Sequence, residues 1–440
     1  MNFLRHAASA LIAAWMLMAV VPVSRADDRL ASDVLQTWYR LTLELVRHTP
    51  TYSPPVASRS FAYLGVAAYE SAASGSPELV SFAGQLHGLQ LPPRRGEGLA
   101  YDDAVVLNAA MALAAKDLFA NTGPTGQRAL ASVDRKLREK AAAGLPADVV
   151  SRSEAFGEAV ALHILAWSRD DGGAVVENMG FPVEYQLTAG PAHWVPTSLI
   201  AQQQVPLLPA WGANRTFAMP GGAACPLPSP PAYSEEAGSP FYEEALEVYE
   251  VRKALTPEQE AIARFWSDDP MLSPTPPGHW ISIAMQILDE KGAPLADRAD
   301  ILARLGVVLS DSFVACWNAK YEFDLLRPIT YIRRLIDPKW EPLLNTPPFP
   351  EYPSGHSTQS AAAAEVLTAF FGEDFAFEDA THSADGLEPR SFESFKAAAA
   401  EAGISRLYGG IHFRAAIDRG LDQGRCVGAH VTALRTRRQP

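Results

Sequence analysis

Apolar residues recur at three- and four-residue spacing through five alanine-rich stretches, residues 31–48, 57–73, 101–120, 126–143 and 147–169. That spacing lays an apolar stripe along one side of a helix, so each stretch predicts an amphipathic or buried helix. The same pattern resumes over 241–255, 256–266, 279–291, 295–326, 357–371, 391–402 and 412–434. At 256 the run Thr256-Pro257-Glu258 supplies an N-cap, a proline at the first helical position and an early acid. Period-two runs of Val, Ile, Thr and aromatics are scarce, which makes the chain all-α in class. No internal repeat of fixed period is present.

Residues 171–240 break the pattern. They hold 11 of the 35 prolines, together with Gly190-Pro191 and Gly221-Gly222. So long an irregular stretch is either a cover or a linker, and Tyr185, Trp194, Trp211 and Phe217 favour a packed cover. The expected organisation is two helical bundles, with an N-terminal helical region over 27–170, the cover over 171–240 and a C-terminal helical region over 241–440.

Composition then narrows the partners. The chain has 440 residues, 48% of them hydrophobic and 20% charged, enough for a large buried core. With 37 basic against 50 acidic residues the net charge is -13, which argues against nucleic acid or an anionic membrane surface as partner. Any bound anion must therefore meet a local basic pocket. Residues 1–26 carry Arg5, an apolar run over 7–21 and the small-residue site Ser24-Arg25-Ala26, the pattern of a cleaved secretory leader. The mature protein is expected to be exported, periplasmic or secreted, without stable membrane insertion; a homo-oligomer is left open. Cys225, Cys316 and Cys426 form no Cys-x-x-Cys pair, which argues against a zinc ribbon or a disulfide scaffold. One pair could bridge in an oxidising compartment, with Cys316 in an apolar helical run reading as a buried thiol; no disulfide is assigned.

Candidate chemistry lies in three pieces near the C-terminus. The first is Trp317-Asn318-Ala319-Lys320 followed, after six residues, by Arg327-Pro328. Positions seven apart on a helix return to nearly one face, so Lys320 and Arg327 are expected to converge, with Pro328 setting Arg327 near the helix end. The second is Pro350-Glu351-Tyr352-Pro353-Ser354-Gly355-His356, leading into a helical run. Helix N-termini expose unpaired N–H groups at positive potential, so the Ser354 hydroxyl and Gly355 N–H suit an oxyanion. The third is Ser405-Arg406, Gly409-Gly410 and His412, where the glycines are expected to interrupt a helix and let Arg406 and His412 turn inward. Singly these read as a solvated face, a capped turn and an ordinary histidine; their order and spacing together point to one anion site.

Together the pieces resemble the signature shared by vanadium-dependent haloperoxidases, type-2 phosphatidic acid phosphatases and bacterial acid phosphatases. The resemblance covers residues 317–412 and implies oxyanion binding by Lys320, Arg327, Ser354, Gly355 and Arg406. In its haloperoxidase form it implies vanadate as cofactor, with His412 the vanadium ligand, His356 the acid–base, and hydrogen peroxide oxidising a halide or small organic molecule. In its phosphatase form His412 attacks a phosphomonoester and His356 protonates the leaving alcohol. A phosphate- or vanadate-binding protein without catalysis is the third reading. Trp317 and Phe349 resemble aromatics lining the haloperoxidase pocket, and the long helical N-terminal half also favours that branch. One position departs from the pattern: the acid many members carry four residues after the last histidine is Ala416 here, and Asp418 falls on another face. A backbone carbonyl is the expected substitute for orienting His412. His279-Trp280 and His193-Trp194 are second candidates for pocket lining.

Overall fold

The structure, a computed structural model, describes residues 24–174, 185–198 and 204–438. Most of the leader pattern of residues 1–26 lies outside the described residues. In the first half come α1 (Ser24–Arg47), α2 (Pro54–Ala73), α3 (Asp103–Leu118), α4 (Pro124–Ala142) and α5 (Ala147–Ser168). Their starts follow local chemistry: prolines open α2 and α4, and the Asp102 carboxylate caps α3 by accepting from Val105 N–H. In the second half come α6 (Pro240–Lys253), α7 (Pro257–Phe265), α8 (Thr275–Glu290), α9 (Leu295–Phe323), α10 (Pro328–Leu335), α11 (Gly355–Phe371), α12 (Phe395–Tyr408) and α13 (Arg414–Thr432). Helices α2 and α9 are buried along nearly their whole length and pack against each other, and one apolar cluster runs from Ala31 to Val431. The all-α expectation holds, with one addition: a two-stranded antiparallel sheet pairs β1 (Phe377–Asp379) with β2 (Arg390–Phe392). None of the described helices is long and apolar enough to cross a membrane.

Three expected boundaries are corrected. The helix predicted over 295–326 ends at Phe323, because Asp324 turns left-handed at φ 46° and Arg327 is extended ahead of Pro328. Lys320 and Arg327 therefore sit on separate elements and converge through the turn, not along one helical face. Residues 390–392 pair as a strand, so the helix predicted from 391 starts at Phe395, capped by Ser394. Arg414, not His412, begins α13, which leaves His412 in the connection after Gly410, where φ is 76° and a left-handed turn is made. The short α10 escaped the periodicity reading.

Close packing sets the site's register. A Cβ on Gly424 of α13 would stand 2.2 Å from the Thr358 carbonyl oxygen of α11, and one on Gly420 would stand 2.8 Å from that of Ser354. Only glycine allows α13 to lie this close to the start of α11. The described part of the 171–240 stretch packs against the helices. Asp311 of α9 accepts the backbone N–H groups of Phe217, Ala218 and Met219, while Trp194, Trp211 and Phe217 are buried. Cys225 of the cover is bridged to Cys426 of α13, a disulfide that the cysteine reading did not assign, and Cys316 is a buried free thiol as expected.

Candidate active site

A cavity of about 450 Å³ opens where Leu207 of the cover and the turn at Pro50, Ser53 and Pro54 meet the C-terminal helices and their loops. Asp268, Asp269, Gly355, His356, Arg406 and His412 are its polar lining, and Leu207, Phe313, Trp317 and Phe349 stand among its apolar walls. The three sequence pieces are thus brought together, and both aromatics expected at the pocket are there. Their rings meet at 4.9 Å between centroids, and the Lys320 ammonium and the Arg327 guanidinium lie over Phe349 at 5.0 and 4.9 Å.

Each cation is buried and held by backbone carbonyls. Arg327 donates from Nε to Phe349 O and from Nη1 to Ile411 O, both at 2.9 Å, and Nη1 also meets His412 Nε2 at 3.1 Å. Arg406 donates from Nη1 to Trp266 O and meets His356 Nε2 at 3.3 Å. Arg327 Nη2 and Arg406 Nε are buried without a hydrogen-bond partner. Burial lowers both guanidinium pKa values to about 10, which leaves them charged at neutral pH. Lys320 sits differently from expectation. Its three N–H bonds go to the carbonyls of Pro350, Glu351 and Pro353, so they tie down the segment before α11 instead of pointing into the cavity, and burial pulls its pKa down to about 7. Ser354 is the N-cap of α11, accepting from Ser357 N–H, and its own hydroxyl proton remains available. Gly355 is the first residue of α11, where an N–H has no intrahelical partner; a Cβ there would meet protein atoms only at ordinary contact distance, 3.8 Å or more.

Both histidines are neutral. Burial, reinforced by Arg406, drives His356 well below its ordinary value, and burial with Arg327 does the same to His412. What holds the His412 ring is a carboxylate, not the expected carbonyl: Nδ1 donates to Glu351 Oε1 at 2.8 Å. Asp418 is exposed and plays no part, as its offset implied. Glu351 is the lone acid in an otherwise apolar and proline-rich approach to Ser354, and sequence spacing to His412 gave no sign of contact.

A second network escaped sequence reading. Fully buried His279 gives Nδ1–H to Asp268 at 3.0 Å and Nε2–H to Asp379 at 2.8 Å, and stacks on Trp266 at 4.5 Å. Burial lowers the pKa of His279, but the two carboxylates outweigh it and push it up to about 10. Asp268 reaches on to His382 at 3.3 Å and His356 at 3.9 Å. Asp268, His279 and His382 are close enough to share a metal ion, yet both nitrogens of His279 already face carboxylates and carry protons, so the cluster reads as a charge network. His279 therefore braces the site from behind and does not line it, and His193 pairs with Asp324 away from the cavity.

Comparison with known proteins now has a geometry to meet. A solved structure described as the first bacterial vanadium-dependent iodoperoxidase superposes with a TM-score of 0.85 at 38% identity, over 92% of this chain and 97% of that one. The chain belongs to the vanadium-dependent haloperoxidase family. Within that family, a holo-type bacterial vanadium-dependent chloroperoxidase shares the fold at TM-score 0.65 and 18% identity, over 88% of this chain and 94% of that one. The family model described as the VCPO second helical-bundle domain matches residues 300–439. Vanadium chloroperoxidase of Curvularia inaequalis is 30% identical over 141 residues, 26% of this chain, and the match spans 23% of that curated relative's length. The haloperoxidase resemblance read from residues 317–412 thus extends, at the level of fold, to most of the chain.

Proposed function

We propose that this protein is a vanadate-dependent peroxidase that uses hydrogen peroxide to oxidise a halide or a small organic molecule. One observation carries the reading: Lys320, Arg327 and Arg406 are buried together with two neutral histidines, and none of the three makes a salt bridge. Elsewhere the buried Arg59 is paired to Asp171. A tetrahedral oxyanion fits this donor set, since the unpartnered Arg327 Nη2 and Arg406 Nε, the Ser354 hydroxyl and the Gly355 N–H are all positive or donating and nothing in the protein claims them. His412 would hold vanadate through Nε2, the nitrogen Glu351 leaves unprotonated.

Bound vanadate supplies Lewis-acid activation of peroxide. The chain's own residues do the rest. His356, kept neutral by burial and Arg406, is free to accept the peroxide proton and return it to the departing oxygen. Arg327 and Arg406 hold negative charge in place, and Lys320 keeps the Pro350–Pro353 backbone fixed so that Ser354 and Gly355 keep their positions. The apolar walls at Leu207, Trp317 and Phe349 exclude water from the reacting end. Export is part of the same reading, supported by the leader pattern and by the Cys225–Cys426 bridge, which belongs to an oxidising compartment.

The test is dye bromination and iodide oxidation by purified protein with orthovanadate and peroxide, repeated without vanadate and with excess phosphate. The expected result is vanadate-dependent turnover suppressed by phosphate. Hydrolysis of an aryl phosphate without any halide oxidation across pH would replace the reading with a phosphatase.

A further inference from the structure

The role given to His412 depends on which ring nitrogen faces the anion, and one acid decides that. Glu351 is fully buried, and its Oε1 lies 2.8 Å from both His412 Nδ1 and Phe413 N. Arg327 Nη1, 3.1 Å from Nε2, can only donate, so Nε2 is the accepting nitrogen and the neutral ring carries its proton on Nδ1, facing the oxygen that also accepts the Phe413 N–H. Nε2 is thus the bare nitrogen of the ring, on the side of the cations.

We propose that Glu351 is the positioning residue that fixes His412 in the Nδ1–H tautomer and presents Nε2 to the bound oxyanion, taking from the segment before α11 the part that Ala416 cannot play from α13. This rests on His412 being the anion-facing histidine. Oε2 has no hydrogen-bond partner, so a proton placed there would disturb neither bond on Oε1. The acid itself is held from three sides. Its N–H donates to Leu325 O at 2.9 Å, its carbonyl accepts from Lys320 Nζ at 3.0 Å, and the next residue, Tyr352, ties its hydroxyl to Pro228 O of the cover at 2.6 Å. Among the described residues no other carboxylate pairs with the His412 ring. Lys320 is thereby linked to His412 through the backbone it anchors, which accounts for a buried ammonium whose protons all point at carbonyls.

The test uses three readouts: affinity for orthovanadate and for phosphate by equilibrium dialysis, the tautomer of His412 from its ring ¹⁵N shifts (assigned by difference with His412→Gln), and thermal melting. The unaltered protein without anion is expected to show Nδ1 protonated and Nε2 bare. Glu351→Gln keeps an acceptor oxygen for both N–H groups and should bind both anions within about threefold of wild type; Glu351→Ala should lose about 10- to 100-fold in affinity and the single tautomer. Protonated Nε2 in the unaltered protein overturns the proposal even if no variant folds. So does a folded Glu351→Ala that binds normally, or a Glu351→Gln as impaired as the alanine variant, which would make charge rather than orientation the contribution. Halide oxidation is not among the readouts, so a protein without peroxidase turnover would sink the proposed function and leave this test standing.

Discussion

Replacing Arg406 with methionine is the perturbation that most directly weighs the site, because the thioether side chain keeps much of the volume and removes only the charge and the donors. Arg406 brings a buried Nε–H with no partner and an Nη1 beside His356. Leaving a buried donor unsatisfied costs about 1–3 kcal/mol, a penalty the apo protein carries and an anion relieves, and a hydrogen bond to a charged group is worth about 1.5–3 kcal/mol. The two are views of the same contact and do not add, so a loss of about 2–3 kcal/mol is expected, or roughly 30- to 150-fold in orthovanadate and phosphate affinity. A second effect has a definite sign. Burial and then Arg406 hold His356 low, so removing the cation raises the His356 pKa, and the acid limb of any pH–rate profile should move to higher pH. Calorimetric titration of apo protein with each anion gives the first quantity, and turnover against pH gives the second. A folded Arg406→Met protein that binds orthovanadate within threefold of wild type would refute the account of the site, since it would mean that carbonyls and the α11 N-terminus suffice.

Two further outcomes follow from the scaffold. His279→Gln should lower unfolding free energy at pH 7 by about 3–5 kcal/mol, because it leaves Asp268 and Asp379 buried without the cation that stands between them. The raised His279 pKa means that its contribution in the wild type is complete below the unfolded value of 6.5 and fades as pH rises through about 10; urea titrations at neutral and alkaline pH should show that fade in wild type and not in the variant, and equal stability at pH 7 would remove the network's structural role. Reducing the Cys225–Cys426 bridge, which spans 201 residues of sequence, should cost about 2–4 kcal/mol in urea unfolding and loosen the cover; unchanged unfolding with reductant would show that Asp311 alone pins it.

Helix class and most helix positions were readable because they depend on local periodicity, which burial of one stripe enforces whatever the tertiary partner. Boundaries failed where backbone chemistry overrides periodicity. Asp324 in the left-handed region ended α9 inside an unbroken apolar pattern, and the strand paired through Phe377 and Phe392 took Ser391 and Phe392 from the start of an expected helix. The residues of the proposed anion site were readable because each belongs to a contiguous motif. Glu351 and the Asp268–His279–Asp379 set were not, because their meaning lies in partners 61, 11 and 100 positions away along the chain. An acid that orients a histidine need satisfy only distance and direction in space, so a missing acid at Ala416 is no evidence that the ring is unsupported.

How the protein keeps three buried cations ready for an anion is a question of which groups surround them. Pairing each with a carboxylate would meet the desolvation cost but cancel the charge, and an incoming anion would then have to displace an acid. Carbonyl oxygens offer another way: they are dipoles that satisfy N–H donors and carry no net charge. Lys320 has three of them, Arg327 has Phe349 O and Ile411 O, and Arg406 has Trp266 O. Acids stand nearby without a salt bridge to a guanidinium: Glu351 is on His412, Asp268 is among the histidines, and Asp269 lines the cavity beside Arg406. No guanidinium at the cavity is therefore neutralised by a salt bridge, and the two buried donors without a partner, on Arg327 and Arg406, belong to the two cations that touch the pair of histidines. That distribution selects for a compact, multiply charged oxyanion and gives a neutral ligand no comparable advantage.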